Sequence, residues 1–87
     1  MQGNEKKIDS RSFAQIYSSL TPRSREKYLL TKALCDRLEV SRQTVYFWGK
    51  GYTQPHVSHS RILKTIAQTL EANLGIRVNE NLLFPRY

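Results

Sequence analysis

A second cysteine is the first thing this chain of 87 residues lacks. With Cys35 alone no internal disulfide can form, which fits a reducing compartment, and the cytoplasm is the expected location. No apolar run approaches the roughly 20 residues that a membrane-spanning helix needs, and the N-terminal stretch has no apolar core of the signal-peptide kind. A soluble chain is expected. Acidic residues are also scarce: seven Asp and Glu stand against fourteen Lys and Arg, a formal charge of +7. The whole excess lies before Thr65, because residues 65–87 balance Arg77 and Arg86 against Glu71 and Glu80. Such a balance speaks about partners rather than fold, and it points to a polyanion.

Catalytic signatures are missing too. There is no G-x-S-x-G, no glycine-rich phosphate loop and no pair of acids opening an apolar element, so an enzyme is not expected. His56 and His59 form H-x-x-H, but with only Cys35 besides they fall short of a zinc pattern, and no metal, cofactor or small-molecule ligand is called for.

What is present reads as helices. Residues 1–9 are polar and aperiodic and are expected to be a flexible tail, leaving residues 10–87 as one domain. Phe13, Ile16, Tyr17 and Leu20 share one helical face, with Asp9 or Ser10 as cap. Thr21 before Pro22 reads as a helix start, followed by Leu30, Leu34 and Leu38, in one helix or in two joined near Leu30. A third helix is expected to start at Ser41 and close by Gly51, a fourth to carry Ile62 to Leu74 and end at Gly75, and Asn79 to cap a last short turn. Ile76 and Val78 are the only hint of extended chain.

The third helix carries the unusual chemistry. On a 100° wheel Val45 and Trp48 face inward, with Trp48 expected between the second and fourth helices. The other side shows Arg42, Gln43, Tyr46, Phe47 and Lys50. Two helices joined by a turn as short as "LEVS" suit a helix-turn-helix, whose second helix fits the DNA major groove. Arginine can donate twice to guanine, glutamine can pair with adenine, and an aromatic ring can press on a thymine methyl. Arg42, Gln43, Tyr46 and Phe47 are therefore the expected base contacts. Lys32, Ser41, Thr44, Lys50, Arg61 and Lys64 are the expected backbone contacts, with Arg23 and Arg25 in the same basic set.

The stretch "CDRLEVSRQTVYFWGKGYTQP" resembles the Cro and phage-repressor type of helix-turn-helix, the XRE-like regulators. Cys35, Val40, Ser41, Val45, Trp48, Gly51 and Pro55 stand at that family's positions, and "ILKTIAQTL" and "NLLF" look like its fourth helix and closing Leu-Phe. The resemblance implies an all-α, compact four- to five-helix, lambda-repressor-like domain. It further implies a regulator of transcription that binds double-stranded DNA as a homodimer on a roughly palindromic site. No heptads or dedicated oligomerisation segment accompany it. Glu39 stands where the family has a turn glycine, so a reshaped or strained turn is expected. A rival reading is a protein-interaction or antitoxin-like module, favoured by an apolar patch around Tyr52, Phe84 and Tyr87. RNA binding is disfavoured, because an A-form major groove does not admit a helix.

Overall fold

Each helix begins where a short polar side chain can satisfy free backbone N–H groups. In the computed structural model, which describes residues 8–55 and 60–85, the first helix, α1, spans Phe13–Ser19. Its cap is Ser12, whose Oγ accepts from the Gln15 N–H (3.2 Å) while Gln15 Oε1 accepts from the Ser12 N–H (2.9 Å). Neither Asp9 nor Ser10 caps it, a correction with a local cause. The Asp9 carboxylate is taken up by Arg11, through its backbone N–H (3.0 Å) and its guanidinium (2.8 Å to Nη2).

The second helix, α2, is one continuous element, Arg25–Leu38, capped by Ser24 rather than by Thr21. Pro22 lies in the preceding turn, and Arg23 takes φ 62°, a left-handed conformation that turns the chain before Ser24. The third, α3, spans Arg42–Lys50 between Ser41, whose Oγ accepts from the Thr44 N–H (3.2 Å), and Gly51 at φ 77°, as expected. The fourth, α4, runs Ser60–Leu74 and stops before Gly75 at φ 68°. Asn79 caps the short α5, Glu80–Leu83. His56 and His59 lie outside the described residues, as does Tyr87.

Two short strands, β1 (Ile8–Asp9) and β2 (Arg77–Val78), pair in parallel with Ile8 opposite Arg77 and Asp9 opposite Val78. Ile8 and Asp9 thus belong to the folded unit, not to a tail reaching Asp9. Period-2 reasoning has nothing to grip on in two residues.

The domain is all-α apart from this ribbon. Its core joins Phe13, Ile16 and Tyr17 of α1 to Leu30 and Leu34 of α2, Val45 and Trp48 of α3, Ile66 and Leu70 of α4, and Leu83 and Phe84. Phe13 is the aromatic hub, stacked on Tyr17 and on Phe84 (both 5.5 Å between centroids) and edge-on to Trp48 at 6.4 Å. Trp48 also meets Phe84 edge-on at 6.0 Å. Its aromatic partners therefore come from α1 and the C-terminal segment, not from the second and fourth helices. The second helix does pack on α3, but α4 carries no aromatic residue, so the ring partners of Trp48 come from α1, which also packs on α3, and from Phe84.

The approach of α1 to α3 is close because Gly49 has no side chain. A Cβ there would overlap the edge of the Tyr17 ring, 2.8 Å from its Cγ. Gly→Ala inside a helix ordinarily gains about 1 kcal/mol, but overpacking costs about 1–3 kcal/mol, and the clash is with a buried ring that cannot swing away. Gly49→Ala should therefore lower stability, by up to about 2 kcal/mol, in urea unfolding. A variant more stable than the parent would contradict the packing.

Glu39 keeps the shape of a glycine turn without being glycine. It ends α2 at φ 56°, ψ 45°, where a Cβ costs about 1–2 kcal/mol. Part of the gain from glycine returns as unfolded-chain entropy, about 0.4–1 kcal/mol. Glu39→Gly should stabilise by about 0.5–1 kcal/mol, and a midpoint that falls in the same titration would refute the strain.

Candidate nucleic-acid interface

Burial divides α3 cleanly. Val45, Trp48 and Gly49 are buried, whereas Arg42, Gln43, Tyr46 and Lys50 are exposed. Gln43, Tyr46 and Lys50 recur at i, i+3 and i+7, so they form one outward stripe that begins at the capped N-terminus. Phe47 sits differently. It is half-buried, with its ring 6.4 Å from Tyr46 and 5.8 Å from Tyr52, on the side that leads to the loop after α3.

Beside the stripe lies an open cleft of about 470 Å³ between the first two turns of α2 and the first half of α3. Tyr17 and Thr31 make its floor. The Thr31 hydroxyl donates to the Lys27 carbonyl (2.8 Å), so the 2.7 Å contact with Tyr17 is the phenol donating to Thr31. Lys27 and Tyr28 form one wall, and Arg42, Gln43 and Tyr46 the other, with Arg23 and Ser24 at the mouth. Three of the four predicted base contacts therefore line one cleft, and Phe47 does not. A smaller cleft lined by Tyr28, Lys32, Cys35, Asp36 and Arg42 adjoins it, sharing Tyr28 and Arg42.

The predicted backbone contacts are less uniform. The Ser41 and Thr44 hydroxyls meet at 3.0 Å, and Ser41 also caps the helix, so both are engaged locally. Lys32 makes an exposed i,i+4 pair with Asp36 at 3.8 Å, a contact of little energetic weight. Lys50 stands over the Tyr46 ring at 5.2 Å. Arg61 and Lys64 are exposed on the first turns of α4 and line neither cleft. Among the described residues, Arg23, Lys27 and Arg42 have no carboxylate partner within ion-pair distance; Lys27 instead lies 4.5 Å above the Tyr17 ring.

Sequence reasoning missed Tyr28 and the part played by Lys27. Tyr28 lies off the Leu30–Leu34 stripe, and at 54% exposure it is an aromatic on a polar face, a signal that was legible. Which neighbour that face would meet was not.

Arg42 also bears on Cys35. Burial, then the charge of Asp36, pushes the Cys35 thiol above its ordinary pKa, and Arg42 pulls the other way. The pH midpoint for alkylation of Cys35 should lie above that of a free cysteine and rise again in Arg42→Ala. A midpoint unmoved by that substitution would separate the two residues.

No family model, no curated protein and no solved structure matches the chain.

Proposed function

We propose that this protein is a sequence-specific regulator that binds double-stranded DNA by inserting α3 into the major groove. The observation that carries the reading is the division of α3 into a packed face and an outward stripe. Its first turn presents Arg42 and Gln43, donors suited to guanine and adenine edges, next to the Tyr46 ring. Around the stripe stand cations without carboxylate partners among the described residues, on a chain of net charge +7. That combination suits a polyanion whose bases are read by side chains and whose phosphates are held by charge. The short turn from Leu38 to Ser41 between α2 and α3 suits a helix-turn-helix. Pairing of two copies on a palindromic site belongs to this proposal as what the resemblance to Cro-like regulators implies.

The rival, an interaction or antitoxin-like module, loses part of its support. Of its apolar patch, Phe84 is buried in the core and Tyr52 alone is exposed among the described residues. What favours it is the run of rings Tyr46–Phe47–Tyr52, which a protein partner could cover.

Selection from a random duplex library tests the reading. A preferred sequence should emerge, and Gln43→Ala should weaken binding to it by about 1–3 kcal/mol while binding to random duplex at the same salt holds. Melting curves should not change, because the amide is exposed and outside the core. Enrichment of no sequence, or an unaltered ratio of selected to random affinity in Gln43→Ala, would move the protein-partner reading ahead.

A further inference from the structure

The cleft between α2 and α3 is only half explained by base reading from α3, because its other wall belongs to α2. We infer that this cleft seats a single thymine nucleotide of the bound duplex: Tyr28 and Tyr46 enclose the C5 methyl of the base, and Arg23 and Lys27 hold the phosphate of the same strand. The inference rests on the proposal that α3 reads duplex DNA, and it adds the partner for α2.

Four observations meet here. The cleft is predominantly lined by ring and aliphatic surface, and at about 470 Å³ it is open and roomy enough to admit a nucleotide from outside. Its floor is chemically spent: the Tyr17 phenol donates to Thr31, the Thr31 hydroxyl donates to a backbone carbonyl, and Lys27 covers the Tyr17 ring. A ligand is therefore met by the walls and mouth, not hydrogen-bonded by the floor. Tyr28 and Tyr46 are 54% and 47% exposed, so both rings have free apolar surface on opposite walls. Arg23 and Lys27 bring positive charge with no carboxylate partner among the described residues. An apolar slot rimmed by cations wants a ligand that is apolar at one end and anionic at the other.

Within a duplex, thymine meets that description. Its methyl is the one apolar group that a base edge presents in the major groove, and it lies near its own strand's phosphates. Gln43, in the same cleft, is the residue suited to adenine, the partner base of a thymine. The two walls then read the two halves of one or of adjacent A·T pairs.

Deoxyuridine, which differs from thymidine at this edge only by the methyl, is the probe. In the selected duplex each thymine is replaced in turn by deoxyuridine, and affinities are compared with the full-length protein. One position should lose roughly fourfold in affinity, the factor for burying one methyl group. Tyr28→Ala should bind the thymine and uracil duplexes alike while melting as the parent does, since the ring is exposed. Lys27→Ala should lower the slope of log affinity against log salt by about one unit. A parent protein indifferent to uracil at every position would overturn the inference, as would a Tyr28→Ala protein that still prefers thymine, or an unchanged salt slope in Lys27→Ala. If a selected duplex binds and depends on Gln43 but ignores the methyl, α3 reads bases and this inference alone falls. If no duplex is selected, both fall.

Discussion

The ring of Tyr17, lying against the bare Cα of Gly49, is the contact on which the outward face of the protein depends. One side chain fixes three helices. Its ring closes α1 onto α3, its stack on Phe13 joins it to the aromatic core, and its hydroxyl donates to Thr31 of α2. Any side chain at position 49 would lift α1 from α3 and shift the rest. Ser18 supports the same crossing by donating to the Gly49 carbonyl at 3.2 Å. Interiors are packed too densely for such a wedge to be absorbed locally, so the outward stripe of α3 inherits its aim from this contact.

Much of this was legible in the chain. Ser41, Gly51, Gly75 and Asn79 announced their helix ends because capping is local chemistry. The inward set of Val45 and Trp48 followed from period alone. The first thirty residues were harder, since Asp9, Ser10 and Ser12 compete to cap the first helix and Thr21 and Ser24 the second. Propensity does not choose among them. Arg23 decided the matter by taking a left-handed conformation that starts α2 at Arg25, and nothing in its identity forecasts that. Equally, the period that buried Trp48 could not say that Phe13 and Phe84 would be its aromatic partners, because partners depend on topology. The cleft was invisible for the same reason: half of it comes from α2, and register between two helices is a tertiary property.

Where the ribbon pairs, the chain ends of the domain are tied together. Asp9, opposite Val78, also accepts from Arg11 just before α1, so the start of α1 is joined to the segment that follows α4. Gln54, in the loop after α3, donates to the Pro85 carbonyl at 2.7 Å. These links hold Phe84 over Trp48 and Phe13. They explain how so short a domain can use its C-terminal residues as a lid on the core while leaving α3 uncovered on the other side.

The choice of aromatic follows the same division. Phe13 and Phe84 are buried and Phe47 is half-buried, while the strongly exposed rings, Tyr28, Tyr46 and Tyr52, are all tyrosines. A phenol keeps one end hydrated, so an exposed tyrosine offers apolar area without the full penalty of a bare ring in water. It has fewer side-chain torsions to lose on binding than a lysine or a glutamine. Lys50 over Tyr46 and Lys27 over Tyr17 add cations to ring faces at one wall and at the floor. The surface around α3 is thus stiff, amphipathic and positive. A patch selected for solubility alone would need charge but not rings, and one selected for an apolar protein partner would need rings but not unpaired arginines. A partner that is apolar in places and anionic throughout would use both, which is why the DNA-reading proposal takes in the walls of the cleft as well as the stripe on α3.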